Sequence, residues 1–149
     1  MSEFVEVKTS ELIGPALDWA VANATKAWEF AHEWFPTMTL DPRFMGIRNV
    51  AVDGCVWLEP HNPFRQDPQP FRPSTDWAQG GTLADKYNVD FNTQGVEGDG
   101  SQLIEAVVQD FKSMQWWMAE GDTRLQSMCR AIVLSKLGDV VKVPACLTT

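Results

Sequence analysis

Near its start the chain alternates apolar and polar side chains over Phe4-Val5-Glu6-Val7, the two-residue period of a short strand. The period then lengthens: Leu17, Val21, Ala24, Trp28 and Ala31 recur at helical spacing behind Gly14-Pro15. Proline suits the first helical position because its missing N–H has no intrahelical partner there. Pro36 forbids continuation, so this helix is expected to end by Phe35. Val50 to Leu58 reads as two short strands about a turn at Asp53-Gly54, a pair that favours tight hairpins.

From Glu59 to Asp76 the pattern breaks down. Prolines stand at 60, 63, 68, 70 and 73, and Pro-Phe-Arg occurs twice, at 63–65 and 70–72. Proline at this density excludes helix interiors and central strands, which predicts an extended surface loop over 59–73. Helical spacing returns at Leu103, Val107, Phe111, Met114 and Trp117/Met118, with Asp99 as cap, Gln102 in the capping-box position and Gly121 as stop. Asp122 then caps a last helix whose Leu125, Met128, Cys129, Ile132, Val133 and Leu137 face inward, and Gly138 ends it. Two helices joined at Gly121-Asp122 predict an αα-hairpin. Val140 to Val143 closes the chain as a strand before Pro144. The expected fold is a single α+β domain over residues 1–149. In it a small sheet with adjacent terminal strands packs on about three helices, including the C-terminal αα-hairpin. Alternation puts Val5 and Val7 on one face of their strand and Val141 and Val143 on one face of theirs, leaving Glu6 and Lys142 to pair outside.

A chain of 149 residues can build a core without staples. The formal net charge of -8 argues against a nucleic-acid partner, which calls for a basic stripe, and the acids are scattered rather than massed on one face. Seven Trp against one Tyr point for most of the rings to core packing, with some at a binding or oligomer surface because indole rings seldom bury completely. Cys55, Cys129 and Cys146 have no metal-ligand spacing, and no apolar stretch reaches the length of a membrane span. Three free thiols in a reducing cytoplasm are the expectation, with Cys129 in the core.

Three blocks of the sequence resemble the NinX-like family of lambdoid-phage proteins. They are Leu12 to Ala22, Pro73-Ser74-Thr75-Asp76-Trp77-Ala78-Gln79-Gly80-Gly81, and Gly121-Asp122-Thr123 through Met128-Cys129-Arg130 to Ser135-Lys136-Leu137-Gly138-Asp139 with Val143-Pro144. The resemblance implies a phage or prophage origin and action in the host cytoplasm. It implies no mechanism.

Chemistry-bearing motifs fall short one by one. His32-Glu33 begins a zinc-protease helix, but position 36, where the second His belongs, is Pro, and His61 stands alone in the proline-rich loop. Asp90-x-Asn92-x-Gln94-Gly95 starts like a calcium loop, yet Ser101 holds the place of the bidentate Glu, and a polar turn explains the same letters. Gly98-Asp99-Gly100 lacks the Lys and spacing of a phosphate loop. No nucleophile elbow is present. Neither a catalytic set, a metal site nor a cofactor is therefore expected.

The block Ser74 to Gly81 remains. Ser74, Thr75, Asp76 and Gln79 offer hydroxyl, carboxylate and amide groups beside the Trp77 ring, with two glycines that let backbone approach closely. Such a set suits a planar polar ligand, but loops of this composition are usually turns, and a turn plugged by Trp77 is the favoured reading. Asp18 and Trp19, in the first turn of the first helix, and Arg130, at the edge of a buried stripe, complete the candidate set. Asp76 is expected to be buried or half-buried, accepting backbone N–H groups or meeting a cation, of which Arg130 is the nearest candidate, with Trp77 against Trp19. The leading functional expectation is a non-enzymatic protein that binds a host protein. The alternatives are a binder of a small polar ligand such as a nucleotide, and a small hydrolase or transferase.

Overall fold

The computed structural model describes residues 4–27, 45–48, 55–58, 69–96 and 102–148. In chain order the elements are β1 (Phe4–Lys8), α1 (Gly14–Thr25), β2 (Met45–Arg48), β3 (Cys55–Leu58), β4 (Gln69–Phe71) and α2 (Trp77–Lys86). They continue with β5 (Asp90–Val96), β6 (Gln102–Asp110), β7 (Gln115–Gly121), α3 (Arg124–Leu137) and β8 (Val140–Pro144). The strands form three antiparallel sheets, β1-β8, β2-β3-β4 and β5-β6-β7. The α+β class is as the sequence predicts.

The terminal strands pair as expected. Val5 lies opposite Val143, Val7 opposite Val141, and Glu6 opposite Lys142. Val141 and Val143 are buried, while Glu6 and Lys142 face solvent together. Thr9 straps this sheet to the end of α3, its N–H donating to Asp139 O at 2.8 Å and its hydroxyl to Gly138 O at 2.6 Å.

The core gathers around α3. It packs on α1 and on the inner face of β6 and β7, and its Leu125, Met128, Cys129, Ile132 and Val133 are fully or almost fully buried. Each such aliphatic side chain contributes about 1.5–3 kcal/mol relative to exposure. Thr123, not Asp122, is the cap of α3: its hydroxyl accepts from Gln126 N while Gln126 Oε1 accepts from Asp122 N. This is a capping pair displaced by one residue from the expected position. Gly138, with φ +89°, ends the helix in backbone space that only glycine enters freely, and Leu137 is turned outward, 42% exposed.

Four further expectations about the elements need correction. The αα-hairpin does not form, because residues 102–121 make the β-hairpin β6-β7. The apolar residues of this stretch satisfy both periods. Ile104, Ala106 and Val108 alternate inward with Trp117 and Ala119, and β-branched and aromatic side chains favour the pleated surface. The hairpin turn is fixed locally: Asp110 Oδ1 accepts from Lys112 N at 3.0 Å, and Met114 adopts φ 58°.

The second correction is α1, which stops at Thr25 with Lys26 left-handed at φ 53°, ahead of Trp28, Ala31 and Phe35, which lie outside the described residues. The third concerns the calcium-like segment from Asp90, which is a strand and not a turn. The fourth is the hairpin read into Val50–Leu58. Its second strand is β3, but the partner is β2, earlier in the chain, and the Asp53-Gly54 turn lies outside the described residues. In the proline-rich segment, Gln69–Phe71 is a short strand at a sheet edge with Pro70 opposite Trp57, where proline is tolerated. His32, His61, Asp99 and the rest of that segment up to Pro68 lie outside the described residues.

Candidate functional site

The Ser74 to Gly81 block is a tight turn running into a helix that the sequence did not announce. Asp76 N donates to Arg72 O at 2.8 Å, and Asp76 Oδ1 accepts from Ala78 N at 2.9 Å, which caps α2. Asp76 is thus hydrogen-bonded but exposed, contrary to the expected burial. Gln79, buried on the first turn, clamps the preceding strand: Oε1 accepts from Arg72 N at 2.7 Å and Nε2 donates to Pro70 O at 2.9 Å. Gly80 lets α2 sit directly on α3, since a Cβ there would lie 2.4 Å from Leu125 Cδ2 and 2.9 Å from Pro73 O. These contacts outweigh the poor helix propensity of the glycine pair.

The buried carboxyl at this block belongs to Asp18, one residue beyond the first turn of α1 and 3% exposed. Its Oδ1 accepts from Ser74 N at 2.9 Å, fastening the turn to α1. Burial pushes its pKa up to about 7, against the opposing pull of Ser74 and, more weakly, of the Arg72 charge. The Ser74 hydroxyl lies near enough to favour the charged carboxylate, but its geometry falls short of a hydrogen bond, leaving a buried oxygen without a partner. Cys129, fully buried on α3, feels the same carboxyl; burial first and Asp18 second raise its pKa well above the usual thiol value. A thiol in this setting is inert.

The candidate residues therefore separate. Ser74, Thr75 and Trp77 line a cleft of about 540 Å³ against Gly14 and the first turn of α3. Trp77 is 55% exposed there, and Trp19, half-buried on the core, is not part of that cleft. Asp18 lies behind Ser74, Asp76 caps, and Gln79 clamps. Arg130 serves another place: Nε donates to Leu12 O at 2.9 Å and Nη1 to Glu120 O at 2.8 Å, so it ties α3 to β7 and does not meet Asp76. Partial burial lowers its pKa.

Sequence reasoning missed a second surface. With β6 and β7 in register, Gln109 stands opposite Trp116, Val107 opposite Met118 and Glu105 opposite Glu120, all on the face turned away from α3, joined by Asp90 and Asn92 of β5. Trp116 is 66% and Met118 51% exposed, and Phe111 and Met114 project from the hairpin turn, 65% and 75% exposed. A shallow depression of about 570 Å³ runs across this face. It continues, through Glu105 and Met118, into a groove of about 630 Å³ that passes beside Arg130 to Lys8 and Val140. The signal was present in the alternation of residues 103–110, but the helical period of the same letters concealed it.

Among the described residues no three His, Cys, Asp or Glu side chains gather as a metal site, and no helix is long and apolar enough to cross a membrane. Fold and site together define a small mixed α+β protein whose chemistry-bearing side chains cap, clamp and buttress, and whose open features among the described residues include the cleft beside Trp77 and a sheet face of mixed polar and apolar character. The family model for Bacteriophage P22, NinX matches residues 8–136, and the chain belongs to that family of phage proteins. No curated protein matches the chain at a significant level.

Proposed function

We propose that this phage protein is a non-enzymatic interaction protein that docks onto a protein partner in the host cytoplasm through the outer face of β5-β6-β7. The supporting observation is the pair Trp116 and Met118, two residues apart on that face and each more than half exposed while the opposite face of the same strands carries the core; Phe111 and Met114 are exposed at the hairpin turn beyond them. Exposed apolar side chains sharing one face mark a site of contact, and Trp and Met are enriched where partners bind. Oxidative footprinting tests the reading. Met114 and Met118 should be oxidised several-fold more slowly in infected cells than in the purified protein, with Met128, buried in both, as the internal reference. Equal oxidation rates inside and outside the cell would refute it.

One observation favours a second reading, retention of a small polar ligand in the cleft beside Trp77. Ser74, Thr75 and Trp77 line that cleft, and the Trp77 ring is 55% exposed beside hydrogen-bonding groups of the turn and of the first turn of α3. Native mass spectrometry of the protein purified from its host would reveal a retained mass, and Ser74→Ala would abolish it.

A further inference from the structure

The outer sheet face is not uniformly apolar, and its polar end says what kind of partner it suits. Glu105 and Glu120 stand directly opposite each other on adjacent strands, a like-charge pair that costs the hairpin stability. Asp90 lies on the same face two residues away in register, beside Val107 and Met118. The groove at the base adds Asp122 and Asp139. Against these five carboxylates the lining has two cations, Lys8 and Arg130, and the Arg130 guanidinium is occupied by the main-chain oxygens of Leu12 and Glu120. Apolar surface runs between the acids: Trp116 and Met118 toward the turn, Leu103, Leu134 and Val140 along the groove.

We infer that this face and its groove bind a basic segment of a partner protein, with its Lys or Arg side chains against Glu105 and Glu120 and its apolar side chains against Trp116 and Met118. The inference rests on the interaction reading above and names the chemistry of the partner. Complementary charge sets which partners approach and which are refused. An arginine reaching the carboxylate pair would neutralise the repulsion that the free protein bears, and one laid on the Trp116 ring would gain a cation–π contact. The same acids turn away a nucleic-acid backbone, an anionic lipid surface and a second copy of this chain, whose net charge is -8.

The test places a photo-crosslinking amino acid at position 116 or 118 in infected cells, with the exposed Asn23 of α1 as control position. The crosslinked segment is identified, synthesised and titrated against the purified protein. The segment should carry a net positive charge, and its affinity should fall about tenfold as salt rises from roughly 0.05 to 0.5 M. The double variant Glu105→Gln/Glu120→Gln should weaken it about tenfold while melting no lower than the parent, because a repulsive pair has been removed. A neutral or acidic segment whose affinity ignores salt and the Gln variant overturns the charge inference and leaves the interaction reading standing. Crosslinking at 116 and 118 no stronger than at Asn23 overturns both.

Discussion

Gly80 and Gly81 are neighbours in one helix and should respond oppositely to the same methyl group. Both lie inside α2, where replacing glycine by alanine restricts the unfolded chain and ordinarily gains about 1 kcal/mol. At Gly81 a Cβ meets nothing within 4 Å, so that gain should appear in full. At Gly80 the new Cβ would lie 2.4 Å from Leu125 Cδ2, 2.9 Å from Pro73 O and 3.4 Å from Met128 Cε. Leu125 could rotate, but it is itself buried at 4% exposure and has little room. Pro73 O belongs to the backbone of the turn that Asp18 and Gln79 hold in place, so it moves only by loosening those bonds. Overpacking of this kind costs about 1–3 kcal/mol. The two variants should therefore differ by roughly 1–3 kcal/mol, once the common propensity gain is cancelled between them. Urea denaturation followed by tryptophan fluorescence measures both at once, and a thermal melt should separate their midpoints by several degrees. If Gly80→Ala proves as stable as Gly81→Ala, α2 does not lie on α3 as described.

The remaining predictions concern the groups around the same turn and the open sheet face. Asp18 has a folded-state pKa of about 7 against an ordinary 3.8, so the native protein keeps a proton that the unfolded chain has lost. The stability it contributes is complete below about pH 4 and is lost as pH rises to about 7, a total on the order of 4 kcal/mol. Asp18→Asn keeps an acceptor for Ser74 N and should flatten this pH dependence in urea titrations at pH 5 and pH 8; curves parallel to the parent would contradict the assignment. Gln79→Ala leaves Arg72 N and Pro70 O without their partners and should cost about 1–3 kcal/mol, with proteolysis appearing first near β4. Trp116→Ser should shift the melting temperature by no more than a degree or two, since exposed positions typically change stability by about 0.5 kcal/mol or less, and a large loss would mean that the ring is packed.

What the sequence made legible follows from how many periods each stretch satisfies. Val5, Val7, Val141 and Val143 fit only alternation, and the β1-β8 pairing could be read with its faces correctly assigned. Met128, Cys129, Ile132 and Val133 fit only a helix, and α3 is where it was expected. Leu103, Val107, Phe111 and Met114 fit a helical spacing by accident while Ile104, Ala106 and Val108 supply the strand, so local pattern could not decide and the pairing with β5 and β7 did. That error also hid the open face, because Trp116 and Met118 share a face only in a strand. The Ser74 to Gly81 block stood out for its composition, but composition could not tell that Asp76 would bind its own helix while Asp18, 56 residues earlier, would bind Ser74. Arg130 was noticed at the edge of its stripe; its partners, two main-chain oxygens from β7 and the entry to α1, carry no sequence signature at all.

The antiparallel union of β1 with β8 sets the timetable by which the molecule is made. Phe4 comes to rest against Pro144, so β1 is synthesised long before the strand that becomes its neighbour. Contacts between distant parts of a chain are slow to form, because the intervening segment must be ordered first. On the ribosome, Val5 and Val7 lack Val143 and Val141, and Thr9 lacks Gly138 and Asp139, until β8 has cleared the exit tunnel. Until β8 follows, the nascent protein therefore carries an open strand edge, available to chaperones and proteases.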